Sequence, residues 1–324
     1  MNCFSEQNMH YVGRFAPSPT GPLHLGSLVA AMAASLDARA HGGILRLRID
    51  DVDTTRVVPD SANRIVQSLN AHGVRWDGEV RKTTDRNDCH AQAFARLVER
   101  GLVYGCDCSR AQILSIHAAQ GRPHERGLEL YYPGTCRAAR IQPDSTGDSK
   151  GNSTGDARLA WRLQVQEGSE SFDDRAAGRI TQDVAEEIGD FVLRRADGAW
   201  AYHLAIVVDD AADGVTDIVR GDDLLGTTAR QRQLQRLLGF PLPRTMHVPV
   251  VRTPSGEKLS KQTQAPALDD QNPMASLIAA ALHLELVGYL EASRWDTHRL
   301  VTAQSIDTFW TWATAAWARR WGIG

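Results

Sequence analysis

An α/β fold built on a parallel sheet is predicted for this 324-residue chain by three features. A short strand pattern at Val12–Phe15 runs into a segment at 16–22 whose prolines and glycine exclude regular structure, and a helix-forming run then reaches Ala40. After Gly42 and Gly43, the stretch Ile44–Ile49 alternates apolar with basic residues, the period of a strand with one buried face. Asp50, Asp51 and Asp53 gather just past its end. Strand, crossover helix and strand imply parallel pairing, and open parallel sheets bind ligands outside the carboxyl ends of their strands, where both the proline-rich loop and the aspartates lie.

Further along, 59–72 and 88–100 read as helices, and 106–136 as an irregular insert with cysteines at both ends. The stretch 142–156 is rich in Gly, Ser, Thr and Asp, the composition of a mobile surface loop, and regular structure resumes at Arg158. Strands are expected at 202–208 and 216–219, a helix at 227–238 ending at Gly239, a strand at 248–251, and mostly helix beyond. The chain therefore divides into a first α/β half at 1–103, an insert at 104–157, a second α/β half at 158–262 and a helical C-terminal region at 263–324.

A 42% apolar content suffices for a sizeable core, and a net charge of -3 excludes an overall basic field, so any nucleic-acid contact must be local. With no run of about 18 apolar residues and no signal-peptide pattern in the first ten positions, neither a membrane partner nor secretion is expected; the cytoplasm is. Cys3, Cys89, Cys106, Cys108 and Cys136 are an odd set for a disulfide framework, and the spacing of the last three points to a metal.

Two segments carry the chemistry. His24-Leu25-Gly26-Ser27 lies near the start, at a strand-to-helix junction, and Lys258-Leu259-Ser260-Lys261-Gln262 lies near the end, in a loop. Alone, the first also fits a helix cap and the second a solvated lysine loop. In this order, about 230 residues apart, they resemble the two signatures of class I aminoacyl-tRNA synthetases. Attack of a carboxylate on the α-phosphate of ATP needs fixed cations and helix-terminal N–H donors, which these residues supply.

The longer strings at 13–27 (Gly-Arg-Phe-Ala-Pro-Ser-Pro-Thr-Gly-Pro-Leu-His-Leu-Gly-Ser) and 47–56 (Leu-Arg-Ile-Asp-Asp-Val-Asp-Thr-Thr-Arg) are similar to the glutamyl branch of that family, as are 200–210 and 217–225. The resemblance implies a Rossmann-type nucleotide-binding catalytic domain with an inserted zinc-containing lobe and a mainly helical C-terminal region contacting the RNA stem. It implies His24, Lys258 and Lys261 as catalytic residues, and Pro17, His24, Gly26, Ser27, Lys258, Leu259, Ser260 and Lys261 as the ATP site with Mg2+. For L-glutamate it implies Arg14, Phe15, Ala16, Pro17, Ser18, Asp50, Tyr202 and Arg220, with Asp50 on the α-ammonium and an arginine on the side-chain carboxylate. Asp50 stands where the glutamyl pattern usually has Glu, one methylene longer.

Cys106, Cys108 and Cys136 supply three thiolates, whereas a structural zinc wants four ligands. The resemblance makes Tyr132 the first choice for the fourth, with His124 as the alternative. Only 63 residues follow Lys261, too few for the anticodon-binding region of a full glutamyl enzyme. The resemblance then implies a monomer that activates glutamate without tRNA and hands it to the queuosine base in the anticodon loop of tRNA(Asp). Two other readings stand beside it: a short enzyme charging the ordinary tRNA 3′ end, and a silent RNA-binding paralogue. The tryptophans of 308–321 could stack on RNA, but a terminal helix burying them is the expectation adopted.

Overall fold

Residues 10–121, 130–139, 141–143, 159–253, 256–259, 265–289 and 305–324 are described by the computed structural model. The chain begins with β1 (Val12–Phe15), α1 (Leu25–Ala40) and β2 (Ile44–Ile49), at the bounds their patterns predict. β2 lies parallel to β1, with Leu47 opposite Phe15, and its other edge carries the short parallel β3 (Arg81–Lys82). The helices α2 (Ser61–Ala71) and α3 (Asn87–Glu99) fall within a residue or two of their predicted spans.

The insert is more regular than expected. β4 (Val103–Cys106) is followed by α4 (Arg110–Ala119), opened by a reciprocal capping box between Ser109 and Gln112. β4 pairs antiparallel with β5 (Ala160–Leu163). The expected mobile loop at 142–156 lies outside the described residues apart from Gln142 and Pro143. Next come β6 (Ser169–Asp174), β7 (Gly178–Asp183), the short α5 (Val184–Glu187) and β8 (Val192–Arg194), the last completing the sheet of β4 and β5.

Segment 202–208, read as a strand, is instead the first two turns of α6 (Tyr202–Ala212). An apolar run buried on all sides has no period with which to separate the two, and packing overrides β-branched propensity. The missed signal lay downstream. Asp209, Asp210 and Asp213 recur at helical spacing, and Gly214 stops the helix in the left-handed region at φ 67°. The acidic face of α6 also explains why Arg48 of β2 is not solvated: it is fully buried, with Nη2 2.8 Å from Asp210, Nη1 2.9 Å from Asp213 and Nε 3.4 Å from Asp209.

β9 (Asp217–Gly221), α7 (Thr228–Leu238) and β10 (Arg244–Val248) follow. The strand expected at 248–251 ends where it was to begin, because Pro249 has no N–H to continue a ladder. β10 lies between β9 and β6, parallel to both, with β7 antiparallel outside. The ribbon joins the first one at β1, since Thr216 N–H donates to Val12 O and Val12 N–H to the Thr216 hydroxyl.

From the C-terminal region, α8 (Pro273–His283) and α9 (Ile306–Trp321) both contribute to the core around α1. Among the described residues no helix is long and apolar enough to cross a membrane. Trp312 and Trp317 of α9 are buried, so the tryptophans serve packing. Trp317 Nε1 donates to Asp37 Oδ1 at 3.0 Å, and Asp37 also receives Tyr11 Oη and the Arg175 guanidinium. Trp317→Ala is expected to cost about 3–5 kcal/mol in urea unfolding, because it opens a cavity and strips a donor from a buried carboxylate. A loss below about 1 kcal/mol would mean that α9 is not docked. Burial disfavours the Asp37 anion, but the Arg175, Tyr11 and Trp317 hydrogen bonds outweigh it and hold the carboxyl below its ordinary range. Its stabilisation is therefore present above the usual carboxylate pKa and lost as pH falls through the lowered native value.

Candidate active site

The carboxyl ends of β1 and β9, the start of α1 and the loop near Lys258 enclose a cavity of about 250 Å³. Its wall includes Arg14, Phe15 and Ala16 from β1 and the turn after it, and His24, Gly26 and Ser27 from the head of α1. Tyr202 and Arg220 meet them from the distant second half, and Lys258 and Leu259 complete the wall. Ten of the expected site residues thus share one cavity although more than 200 positions separate some of them.

His24 is the N-cap of α1, and its Nδ1 accepts the Ser27 N–H at 3.3 Å. The neutral ring must then carry its proton on Nε2, a donor suited to a phosphate oxygen. A Cβ on Gly26 would stand 3.1 Å from the His24 ring, so glycine lets ring and helix terminus lie together. Lys258 Nζ lies 2.5 Å from Asp223 Oδ2, a partner that was not foreseen. Ser260 and Lys261 lie outside the described residues, as does His124.

The two arginines differ. Arg14 is buried and its Nε meets both carboxylate oxygens of Asp210 at 3.3 Å. Arg220, at 5% exposure, has no carboxylate partner among the described residues. Its Nε donates to His247 Nε2 at 3.0 Å and its Nη2 to Thr228 Oγ1 at 2.9 Å, while Nη1 is buried without an acceptor. A desolvated cation left in this state is complementary to an incoming anion. Burial lowers the Arg220 pKa and raises that of Tyr202 beside it.

Pro17, Ser18 and Asp50 are not in the cavity wall. Ser18 is exposed; Asp50 is buried behind the loop, its N–H donating to Pro17 O at 2.9 Å and its Oδ1 accepting from Thr83 Oγ1 at 2.8 Å. Burial, only partly opposed by Arg48 and Thr83, pushes the Asp50 carboxyl up.

In the insert, the sulfurs of Cys106, Cys108 and Cys136 lie within 4.8 Å of one another, Cys108 and Cys136 at 3.4 Å. All three are free thiols. Tyr132 Oη stands 3.3 Å from Cys106 Sγ and 3.9 Å from Cys108 Sγ and receives the Cys136 N–H. Ligands about 2.3 Å from a tetrahedral zinc would be separated by about 3.8 Å, close to these spacings. The Arg162 guanidinium lies over the Tyr132 ring, and Arg137, next to Cys136, bonds to the buried Asp190. Both fix the cluster to the sheet of β4, β5 and β8.

A histidine-capped helix terminus, a lysine loop and a buried arginine without a carboxylate partner, gathered in one cavity at the carboxyl ends of parallel strands, fit a ligase of the class I type. The sequence model for tRNA synthetases class I (E and Q), catalytic domain, matches residues 11–289. The chain belongs to that family. A glutamyl-Q tRNA(Asp) synthetase of Bordetella bronchiseptica is 49% identical over 316 residues, covering 97% of this chain and 91% of the relative. One from Burkholderia cenocepacia is 49% identical over 319 residues, covering 97% and 98%. Among solved structures, the glutamate tRNA ligase of Elizabethkingia meningosepticum, in complex with its amino acid, superposes with a TM-score of 0.64 at 26% identity over 78% of this chain. The glutamate-tRNA synthetase of Elizabethkingia anophelis gives 0.64 at 25% over 78%. This chain spans about half the length of those two, 52% and 53%.

Proposed function

We propose that this chain activates L-glutamate with ATP and Mg2+, without needing tRNA, and transfers it to the queuosine base in the anticodon loop of tRNA(Asp). The observation that carries the amino-acid assignment is the buried Arg220 with its unanswered Nη1, in the same cavity as Arg14, Tyr202 and His24. The acceptor assignment is supported by the names of relatives that share about half of the residues over nearly the whole chain.

In the first step a carboxylate oxygen of glutamate attacks the α-phosphorus; the bond to the bridging oxygen breaks and pyrophosphate leaves. Mg2+, when bound, would neutralise the phosphate charge. Arg220 takes the side-chain carboxylate, and Asp50, read by resemblance as the partner of the α-ammonium, stands behind the loop outside the cavity wall. Phe15, Ala16, Pro17 and Ser18 shape the loop. His24 Nε2–H and the N–H groups at the head of α1, with Gly26 and Ser27, bind phosphate oxygens. Lys258 exchanges Asp223 for the departing pyrophosphate together with Lys261, on a loop that includes Leu259 and Ser260. In the second step a hydroxyl of the modified base attacks the activated carbonyl and AMP leaves.

A structural zinc is read onto Cys106, Cys108, Cys136 and Tyr132, a thiolate-rich set of the kind that forms closed sites. The segments 1–103 and 158–262 are read as the two halves of the catalytic unit, 104–157 as the metal lobe and 263–324 as a helical region that completes the core around α1.

The deciding experiment is glutamate-dependent ATP–pyrophosphate exchange without tRNA, followed by transfer of labelled glutamate to queuosine-containing and queuosine-free tRNA(Asp). Exchange without RNA and transfer only to the modified tRNA is the expected result. A need for glutamate tRNA in the exchange step would favour a short enzyme charging the 3′ end, and no exchange at all would leave a silent paralogue. Lys261→Ala is expected to slow adenylate formation at least about tenfold, roughly 1.4 kcal/mol of transition-state stabilisation. An unchanged rate would remove Lys261 from the mechanism.

A further inference from the structure

We propose that His247, held in one tautomer by Asp174, is a positioning residue that fixes the Arg220 guanidinium for the side-chain carboxylate of the amino-acid substrate. The inference rests on the glutamate reading above. Arg220 Nε carries a hydrogen in every accessible protonation state, so the ring nitrogen 3.0 Å away, His247 Nε2, is the acceptor. The ring proton then sits on Nδ1, 2.6 Å from Asp174 Oδ2. Asp174 is itself immobilised, because its Oδ1 accepts the backbone N–H groups of Ala176, Ala177 and His247 at 3.0 to 3.1 Å.

The three residues stand on three adjacent parallel strands, Asp174 on β6, His247 on β10 and Arg220 on β9, and all are at most 5% exposed. Thr228 Oγ1 takes Nη2 of the same guanidinium. Two of its three nitrogens are thus anchored before substrate arrives, and the third is left for the anion. Because a free arginine side chain holds about 2 kcal/mol of rotamer entropy, anchoring the fork during folding relieves binding of that cost.

The arrangement works only while His247 is neutral. An imidazolium would set an N–H against Arg220 Nε–H and a second cation beside the guanidinium. The charged groups acting on His247 are Asp174, Arg220 and, from β1, Arg14. On the turn after β9, Asp222 is taken by Val250 N–H and Asp223 by Lys258. Burial and the two arginines keep His247 below the usual histidine range although Asp174 opposes them. Glutamate affinity is therefore full above that lowered pKa and falls as pH drops through it.

The test is ATP–pyrophosphate exchange on the full chain, with KM for glutamate and for ATP measured separately across pH for Asp174→Asn, His247→Gln and Arg220→Ala. An asparagine must keep its oxygen on the backbone N–H groups and turn its amide toward Nδ1. That drives the ring proton to Nε2 and places two donors face to face. Asp174→Asn is expected to raise the glutamate KM at least about tenfold and leave the ATP KM within about twofold. His247→Gln, which can accept at the Nε2 position but cannot titrate, should flatten the acid limb of kcat/KM for glutamate. The relay is overturned if Asp174→Asn leaves the glutamate KM within about twofold, or if His247→Gln keeps the acid limb, while Arg220→Ala raises that KM. Should Asp174→Asn melt below the assay temperature, the acid limb of His247→Gln decides alone. If Arg220→Ala itself leaves the glutamate KM unchanged, the glutamate reading has failed and the relay with it.

Discussion

Replacing Arg220 with Ala is expected to lower kcat/KM for glutamate in ATP–pyrophosphate exchange by about a hundredfold or more. Truncating one member of a buried, hydrogen-bonded charge pair costs roughly 2–5 kcal/mol, and each 1.4 kcal/mol is a factor of ten. The effect should fall on glutamate and spare ATP, because Arg220 is held by β9, β10 and the first turn of α7, whereas the groups proposed to bind phosphate lie on α1 and the lysine loop. Arg220→Lys should recover little, since an ammonium cannot occupy the His247 and Thr228 acceptors and still present a second donor to the substrate. Titration of exchange rate against glutamate at saturating ATP measures this. A variant with parental kcat/KM would show that the cavity takes a different side chain.

Removal of the zinc proposed for the three-cysteine cluster is expected to carry the second large effect. Purified gently, the chain is expected to hold about one zinc equivalent, and Cys136→Ala to hold less than about a tenth, because two thiolates and a tyrosine cannot retain the ion against dilution. Cys136 is the informative position because alanine there removes one thiol yet keeps the backbone N–H that holds Tyr132 Oη at 3.0 Å, so the loss reports the thiol alone. Loss of even about 2 kcal/mol of ligand stabilisation should lower the melting temperature by roughly 5 °C in a domain of this size. Glutamate-dependent exchange at low temperature should persist, the cluster lying outside the cavity wall. Metal analysis paired with a melting curve tests both halves, and a metal-free parent protein with an unaltered melt would refute a structural zinc.

Much of the architecture could be read from local pattern. Turn chemistry at 16–22, the helix formers after Leu25 and the alternation in 44–49 placed β1, α1 and β2 at their observed bounds, because each pattern is a property of neighbours in sequence. The order and spacing of His24-Leu25-Gly26-Ser27 and the Lys258 loop carried the resemblance to the family that the comparison bears out. The three clustered cysteines were equally visible, and Tyr132, chosen by resemblance, stands among their sulfurs.

Other features exist only in three dimensions. That 202–208 is helix was decided by its acidic continuation, since Asp209, Asp210 and Asp213 pair with an arginine more than 160 positions earlier. The same pairing buries Arg48 in a strand whose alternation promised a solvated face. Asp174 and His247 carry no motif, and they matter because parallel pairing lays β6, β10 and β9 side by side and brings them to Arg220. A sequence by itself determines which groups are present and how each short segment tends to fold. Which charge goes unpaired in the interior depends on contacts between segments far apart in the chain, and for Arg220 only the tertiary structure decided it.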